Sequence, residues 1–208
     1  MSKNLYHEIK NHLSVCDLYT EIIRKTLEKN GIQDETLTRA IRTIKNSLTM
    51  ISESTVELRA QVEDIKLSQL NLNALVSDVF ITAVAYTNGK DIDFINEIPF
   101  NYEFTADKNK MFSVFINLVK NGIEAINIKG YIKFFVLDNC IYVENNGEII
   151  PENISQKIFN DGFTTKNSGS GIGLVMVKQM LDMQNYDIKL YCSNKDKTVF
   201  KIEKKNPQ

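Results

Sequence analysis

The sequence predicts an α+β chain in two parts: a helical hairpin over residues 1–68, then an α/β sandwich over residues 69–208. Three observations predict it. An apolar period of about 3.5 residues runs through the first part. Helix and strand periods alternate through the second. Glycine occurs only nine times in 208 residues, yet Gly162, Gly169, Gly171 and Gly173 fall within twelve. A chain so sparing with glycine concentrates it where the backbone needs freedom.

From residue 37 the apolar positions are Leu37, Ile41, Ile44, Leu48, Ile51, Thr55, Leu58, Val62 and Ile65, spaced 4-3-4-3-4-3-4-3 with only Thr55 polar. Such a seam belongs to a long helix in a coiled-coil-like bundle, so residues 1–68 read as helix throughout, broken only at the turn. A rougher stripe, Leu5, Ile9, His12/Leu13, Cys16, Tyr19, Ile23 and Leu27, marks the first helix. His7 lies two residues from both Leu5 and Ile9, about 200° around the helix, and so is expected to point outward. His12 falls on the stripe and reads as a packed or hydrogen-bonded histidine. Gly31 is placed to close the first helix in the left-handed conformation, and Asp34 to cap the second. Two helices leave one stripe partly uncovered, so a four-helix bundle formed by dimerisation is the economical expectation.

In the second part, residues 73–86 read as helix and residues 91–98 and 101–105 as short strands. Residues 107–128 read as a helix opened by an Asp107 cap. Residues 131–137 and 141–144 read as strands across an Asp138-Asn139 turn. Residues 147–171 show no clear period; residues 172–183 are helical, and residues 186–192 and 198–202 close as a hairpin over Asn194-Lys195-Asp196. The expected architecture is one sheet with helices on a face.

Composition excludes several classes. Lys+Arg is 25 against 26 Asp+Glu, a net charge of −1, which gives no reason to expect nucleic acid or an anionic membrane as partner. The best apolar run, residues 79–86, is far short of the roughly 20 residues that a membrane span needs. The start, MSKNLYHEIK, has no apolar core. Cys16, Cys140 and Cys192 are scattered and odd in number, as expected of reduced thiols in a cytoplasm.

Four features carry chemistry. Ser168-Gly169-Ser170-Gly171-Ile172-Gly173-Leu174 runs into an apolar helix, whose start offers N–H groups to an anion. It reads either as a phosphate cradle or as a loop ending in a cap. It follows no strand, against a dinucleotide fold, and lacks the Lys-Ser/Thr of a P-loop. Asn117, Asn121 and Glu124 share one helix face, with Phe112, Phe115, Leu118, Val119 and Ile126 on the other. Amide oxygens suit Mg²⁺, and such a face is equally a solvated polar surface. Tyr142 to Pro151 is a strand running into Asn145-Asn146-Gly147, which is also ordinary turn chemistry. In His7-Glu8-Ile9-Lys10-Asn11-His12, an exposed imidazole beside a carboxylate makes a plausible nucleophile: Glu8 takes the proton from one ring nitrogen while the other attacks.

In this order, H-E-x-K-N on a helical hairpin, N-x-x-x-N on a helix, a strand with N-N-G, F-T-T-K and G-x-G-x-G-L resemble the bacterial sensor histidine kinases, members of the GHKL ATPases with the Bergerat nucleotide fold. The resemblance runs from His7 to about Leu190. It implies that His7 is the phosphoacceptor, Glu8 its general base and Asn11 a polar group orienting water for phosphatase activity. It makes Asn121 the Mg²⁺ ligand and Asn117 a nearby polar contact. Asn145 falls where the family has an Asp that accepts from the adenine amino group, with Gly147 beside it. Phe159 and Phe163 would form the F-box, followed by Thr164, Thr165 and Lys166. Gly169, Gly171, Gly173 and Leu174 would form the glycine box around the phosphates, and residues 148–170 the ATP lid. The cofactors implied are ATP and Mg²⁺. The implied partners are a response regulator and a second copy of the chain.

The chain departs from the family pattern at several positions. Asn145 brings no charge. A charge-assisted bond is worth about 1.5–3 kcal/mol and a neutral one about 0.5–1.5, so a roughly tenfold loss of affinity is expected. Ile149 stands at a second glycine position. Gly122 replaces the usual Ala, at about 1 kcal/mol in mid-helix. His12 stands where a proline often follows, so no kink is expected there. The reading is a soluble, cytoplasmic, dimeric histidine kinase that passes phosphate from His7 to a regulator aspartate, with phosphatase activity toward that regulator as a further expectation. One rival is a histidine phosphotransferase with a vestigial ATP domain, relaying phosphate between regulators. Another is a module that binds or dephosphorylates a regulator through Asn11. Within 208 residues no sensor domain is expected, so the signal is expected through a partner protein or a removed segment.

Overall fold

The computed structural model describes residues 3–32, 34–62, 64–160, 163 and 173–205; the side chains of residues 3–8, 10, 46, 49, 50 and 52–62 fall outside that description. The chain divides into two compact units, residues 1–64 and 65–208.

The first unit holds α1 (Lys3–Lys29) and α2 (Glu35–Val62). Gly31, at φ +64°, ends α1: its N–H reaches the Glu28 carbonyl at 3.1 Å and the Ile32 N–H reaches Leu27 at 3.0 Å. This paired closure satisfies carbonyls that the helix end leaves open. Asp34 Oδ1 accepts from Leu37 N at 3.0 Å and starts α2. Lys45 of α2 reaches Glu21 of α1 at 2.8 Å. Hydrogen bonds from Arg24 and then Lys45 hold the Glu21 carboxyl at about 2.

The expected stripe of α1 is covered in part within one chain: Ile9, Leu13 and Leu27 are half-buried, Thr20 is buried, and His12, Cys16, Tyr19 and Ile23 are exposed. In α2 the seam splits into two rows: Ile41 and Leu48 are half-buried, while Leu37, Ile44 and Ile51 are exposed. The helix also ends sooner than expected. Ile65, the last seam position, lies past α2 in a non-helical segment.

The second unit begins with that segment. Its strands are β1 (Ser68–Asn71), β2 (Asp91–Asn96), β3 (Glu103–Ala106), β4 (Lys129–Leu137), β5 (Cys140–Asn145), β6 (Tyr186–Ser193) and β7 (Thr198–Lys204). Its helices are α3 (Leu72–Ala83), α4 (Lys108–Ala125), the single-turn α5 (Glu152–Ser155) and α6 (Gly173–Met183). The expected single sheet is two. A five-stranded sheet runs β2-β4-β5-β7-β6, and β1 pairs antiparallel with β3 in a separate ribbon. Only the β2–β4 pair of the large sheet is parallel, because α4 crosses between those strands.

The core lies between this sheet and α3, α4 and α6. Phe134 of β4 receives Phe115 of α4 edge-on at 5.2 Å and Phe80 of α3 at 5.5 Å. Asp107 fixes the start of α4. Its Oδ1 accepts from Asn109 N and Lys110 N at 3.0 and 3.1 Å, while its Oδ2 accepts from Lys66 N at 2.9 Å, tying the incoming chain to the helix. Asp138 and Asn139, at φ +50° and +58°, make the tight β4–β5 turn that two left-handed residues allow.

The opposite face of the sheet is polar and aromatic. Tyr142 stacks on Phe135 at 4.9 Å. The buried Glu144 accepts from Tyr131 Oη at 2.8 Å and Lys197 Nζ at 3.0 Å, with Lys133 Nζ at 3.5 Å. Burial pushes the Glu144 carboxyl up, but these donors outweigh it and hold the group below its ordinary value. The unfolded chain therefore takes up this proton first, so the stabilisation is present above the ordinary carboxylate pKa and disappears as pH falls through the folded value. Glu144→Gln is expected to cost about 1–3 kcal/mol at neutral pH. The gap between wild type and variant in urea unfolding should close as pH is lowered below about 4; a gap independent of pH would contradict this network.

Candidate functional site

The polar face of α4 is the starting point. Asn117 and Asn121 are half-buried one turn apart, and Glu124, a turn further on, is exposed. The other side of the helix is core: Met111, Val114, Phe115, Leu118 and Val119 are buried. The Asn117 Nδ2 donates to the Ser113 carbonyl at 2.8 Å, leaving Oδ1 as its outward acceptor. That oxygen lies 3.6 Å from where a β-carbon on Gly173 would stand. The start of α6 therefore sits against Asn117.

Further along, α4 meets the end of β5. A β-carbon on Gly122 would lie 3.2 Å from the tip of Ile132 and 3.4 Å from Asn145 Cβ. Asn145 is buried, and its Oδ1 accepts from Gly147 N at 3.0 Å. A β-carbon on Gly147 would stand 2.6 Å from Ala125 Cβ and 2.7 Å from its carbonyl carbon, so glycine is required there by contact with α4. The Glu148 N–H also donates to the Ala125 carbonyl at 2.9 Å. On the other side, Asn146 Oδ1 accepts from Tyr131 N at 2.8 Å and would collide, at 2.4 Å, with a β-carbon on Gly130.

The end of α4 is itself held from outside. Lys90 Nζ donates to the carbonyls of Ile123 and Ile126 at 2.7 and 2.6 Å. A cation that satisfies open carbonyls at a helix C-terminus also complements the helix dipole. The floor beside Asn145 is Thr198, its register partner on β7 and likewise buried. Thr198 Oγ1 lies 2.6 Å from Ser193 Oγ, which accepts from Ile150 N at 2.8 Å and so anchors the chain leaving the site. Phe159 packs edge-on to Phe200 at 6.3 Å, and Phe163 is half-buried.

Of the sequence-predicted residues, the fold thus gathers Asn117, Asn121, Asn145, Gly147 and Gly173 around α4, with Leu174 half-buried in the first turn of α6. Thr165, Lys166, Gly169 and Gly171 lie outside the described residues, as do Gly162 and Thr164. His7 and Glu8 lie in α1, with side chains outside the description, and Asn11 is exposed on the same helix. Sequence reasoning missed Lys90, Ser193 and Thr198. Their only signal is strand register and a helix end that needs donors.

The donor set suits a nucleotide: amide groups of Asn117, Asn121 and Asn145 line it, while Gly122 and Gly147 let α4 and the β5 loop pack closely beneath them. Among the described residues no group of three or more His, Cys, Asp or Glu side chains is placed to hold a metal ion. A Mg²⁺ ion here would rest on an amide oxygen such as Asn121 together with ligand oxygens and water.

Residues 106–208 match the family described as histidine kinase-, DNA gyrase B-, and HSP90-like ATPase. The signal transduction histidine-protein kinase AtoS of Escherichia coli (strain K12) is 27% identical over 88% of this chain and 31% of its own length. Sporulation kinase A of Bacillus subtilis (strain 168) is 26% identical over 97% of this chain and 34% of its own length. The chain thus spans about a third of the curated relatives it matches. Among solved structures, the nucleotide-free catalytic domain of histidine kinase ThkA superposes with a TM-score of 0.57 at 29% identity, covering 67% of this chain and 97% of that one. ThkA in complex with response regulator protein TrrA gives 0.63 at 25% identity, covering 96% of this chain and 59% of that one. Residues 106–208 thus carry the ATP-binding core of that ATPase family, and the relatives matched along the chain are histidine kinases.

The glycine contacts separate two positions that look alike in sequence. Gly147→Ala drives a methyl into the Ala125 backbone and is expected to cost about 1–3 kcal/mol. Gly173→Ala meets only ordinary contact and should change stability by no more than about 1 kcal/mol, toward greater stability. Thermal unfolding of the two variants checks this; equal losses would contradict the packing of Gly147 on α4.

Proposed function

We propose that the chain is an ATP-dependent protein-histidine kinase that phosphorylates itself on His7 and passes the phosphoryl group to an aspartate of a response regulator. The observation that carries this reading is the gathering of Asn117, Asn121, Asn145, Gly147 and Gly173 around one helix. In the proposal residues 1–68 are the dimerisation and phosphotransfer hairpin, and residues 69–208 bind ATP. The exposed rows Leu37, Ile44 and Ile51 on α2 and Val15, Leu18, Ile22 and Ile23 on α1 support pairing with a second copy into a four-helix bundle.

Asn145, Gly147 and Thr198 would receive the base, and Asn117, Gly173 and Leu174 would lie toward the phosphates. Thr165, Lys166, Gly169 and Gly171 complete the phosphate end in this reading. Asn121 would hold Mg²⁺, which neutralises phosphate charge when bound. One ring nitrogen of His7 attacks the γ-phosphorus as the bond to the ADP oxygen breaks, and Glu8 takes the proton from the other nitrogen. Positioning and charge stabilisation carry such a transfer. Asn11, exposed on α1, would orient a water that attacks the regulator's aspartyl phosphate, releasing inorganic phosphate and the free carboxylate. Among the described residues no helix is long and apolar enough to cross a membrane. A cytoplasmic location and a signal delivered by a partner protein remain part of the proposal.

Incubation with Mg-ATP is expected to give an acid-labile phosphoprotein. His7→Gln should abolish the label and leave nucleotide affinity within about twofold, since α1 lies in a separate unit. Normal labelling of His7→Gln would overturn the phosphoacceptor assignment. Loss of label with no nucleotide binding in the wild type would favour the relay reading.

A further inference from the structure

The Asn145 oxygen already accepts from Gly147 N, and this bears on which base the site takes. We propose that Asn145 presents its N–H₂ donor to the purine edge, its oxygen being held toward Gly147, so that the site does not discriminate 6-amino from 6-oxo purine nucleotides. The proposal rests on the nucleotide reading above and on Asn145 lying at the base end of that site.

A backbone N–H only donates, so the 3.0 Å bond from Gly147 N fixes the Asn145 amide with its oxygen toward Gly147. Flipping the amide would set Nδ2 against the Gly147 N–H, donor against donor. Gly147 cannot retreat, because it is seated on Ala125 and the next N–H is bonded to the Ala125 carbonyl. The remaining group of Asn145 is therefore Nδ2. Among the described residues no buried side-chain nitrogen or oxygen lacks a hydrogen bond, and the bond Asn145 makes uses its oxygen. The nitrogen is left as a donor that is not fully sealed from solvent.

A carboxylate at this position would have two acceptor oxygens, one for Gly147 and one for a 6-amino donor. The amide has one oxygen, shared with Gly147, and a donor where the carboxylate has its second acceptor. Its N–H₂ group can donate to O6 of a 6-oxo purine or to N1 of adenine, and the adenine amino group finds at most the second lone pair of the shared oxygen. Thr198, next to it in register, carries a hydroxyl that donates or accepts and so does not restore a preference. A site that engages both bases through one donor is permissive, because that donor finds an acceptor on either base.

The test is equilibrium binding of ATP and inosine triphosphate, each with Mg²⁺, to the full chain and to Asn145→Asp. The two nucleotides differ only at the 6-position and N1, so their ratio reads this contact. The wild type is expected to bind them within about threefold of each other, and Asn145→Asp to favour ATP by at least about tenfold, the size of one hydrogen bond gained and one lost. A wild type that prefers ATP by more than about tenfold, or a folded Asn145→Asp with an unchanged ratio, would overturn the proposal. If the variant does not fold, the wild-type ratio alone decides. Failure to bind either nucleotide would instead overturn the nucleotide reading itself.

Discussion

Ala125, the last residue of α4, holds the loop that leaves β5 by two contacts at once. Gly147 sits on its side chain and backbone, and the Glu148 N–H bonds its carbonyl. The geometry of the proposed nucleotide site follows from that seat. It fixes the loop, the loop fixes the orientation of the Asn145 amide, and the same helix carries Asn121 and Asn117 one and two turns earlier. Lys90 supports the arrangement from beneath, because without donors the carbonyls of Ile123 and Ile126 would be open at a partly buried helix end. Gly122 has a different logic. As a mid-helix glycine it costs about 1 kcal/mol in propensity, yet it lets α4 lie close to Ile132 and Asn145.

The two units are stabilised by different means. The second has an aromatic core around Phe134, a fully bonded helix cap at Asp107 and a buried carboxylate network at Glu144. The first has a polar bridge from Glu21 to Lys45 and much apolar surface still exposed. The exposed seam positions among its described residues, Leu37, Ile44 and Ile51, are the surface on which the proposed pairing would draw.

What was legible in the sequence was local. Asp34, Asp107 and Gly31 act within three or four residues of themselves, and Asp138-Asn139 is a turn in its own right, so residue type sufficed. The faces of α4 were legible because a helix repeats its environment every turn. What failed was non-local. Ser68 to Asn71 forms a strand only because Glu103 to Ala106 lies beside it, and four residues carry no period of their own. Along α1 the stripe was legible at Ile9, Leu13 and Leu27, whereas the burial of Thr20 and the Glu21–Lys45 bridge depend on α2 and carry no period. Lys90 and Thr198 reach the site through a helix end and a strand register that no spacing reveals.

Calorimetric titration of ATP into the full chain and Asn121→Ala, with Mg²⁺ and then with chelator, isolates the part played by the α4 face. The geometry predicts one nucleotide per chain, an affinity at least about tenfold weaker for the variant in Mg²⁺, and near-equal affinities in chelator, since a metal-bound oxygen matters only with the metal. No binding by the wild type, or an Asn121→Ala deficit of the same size without Mg²⁺, would contradict it.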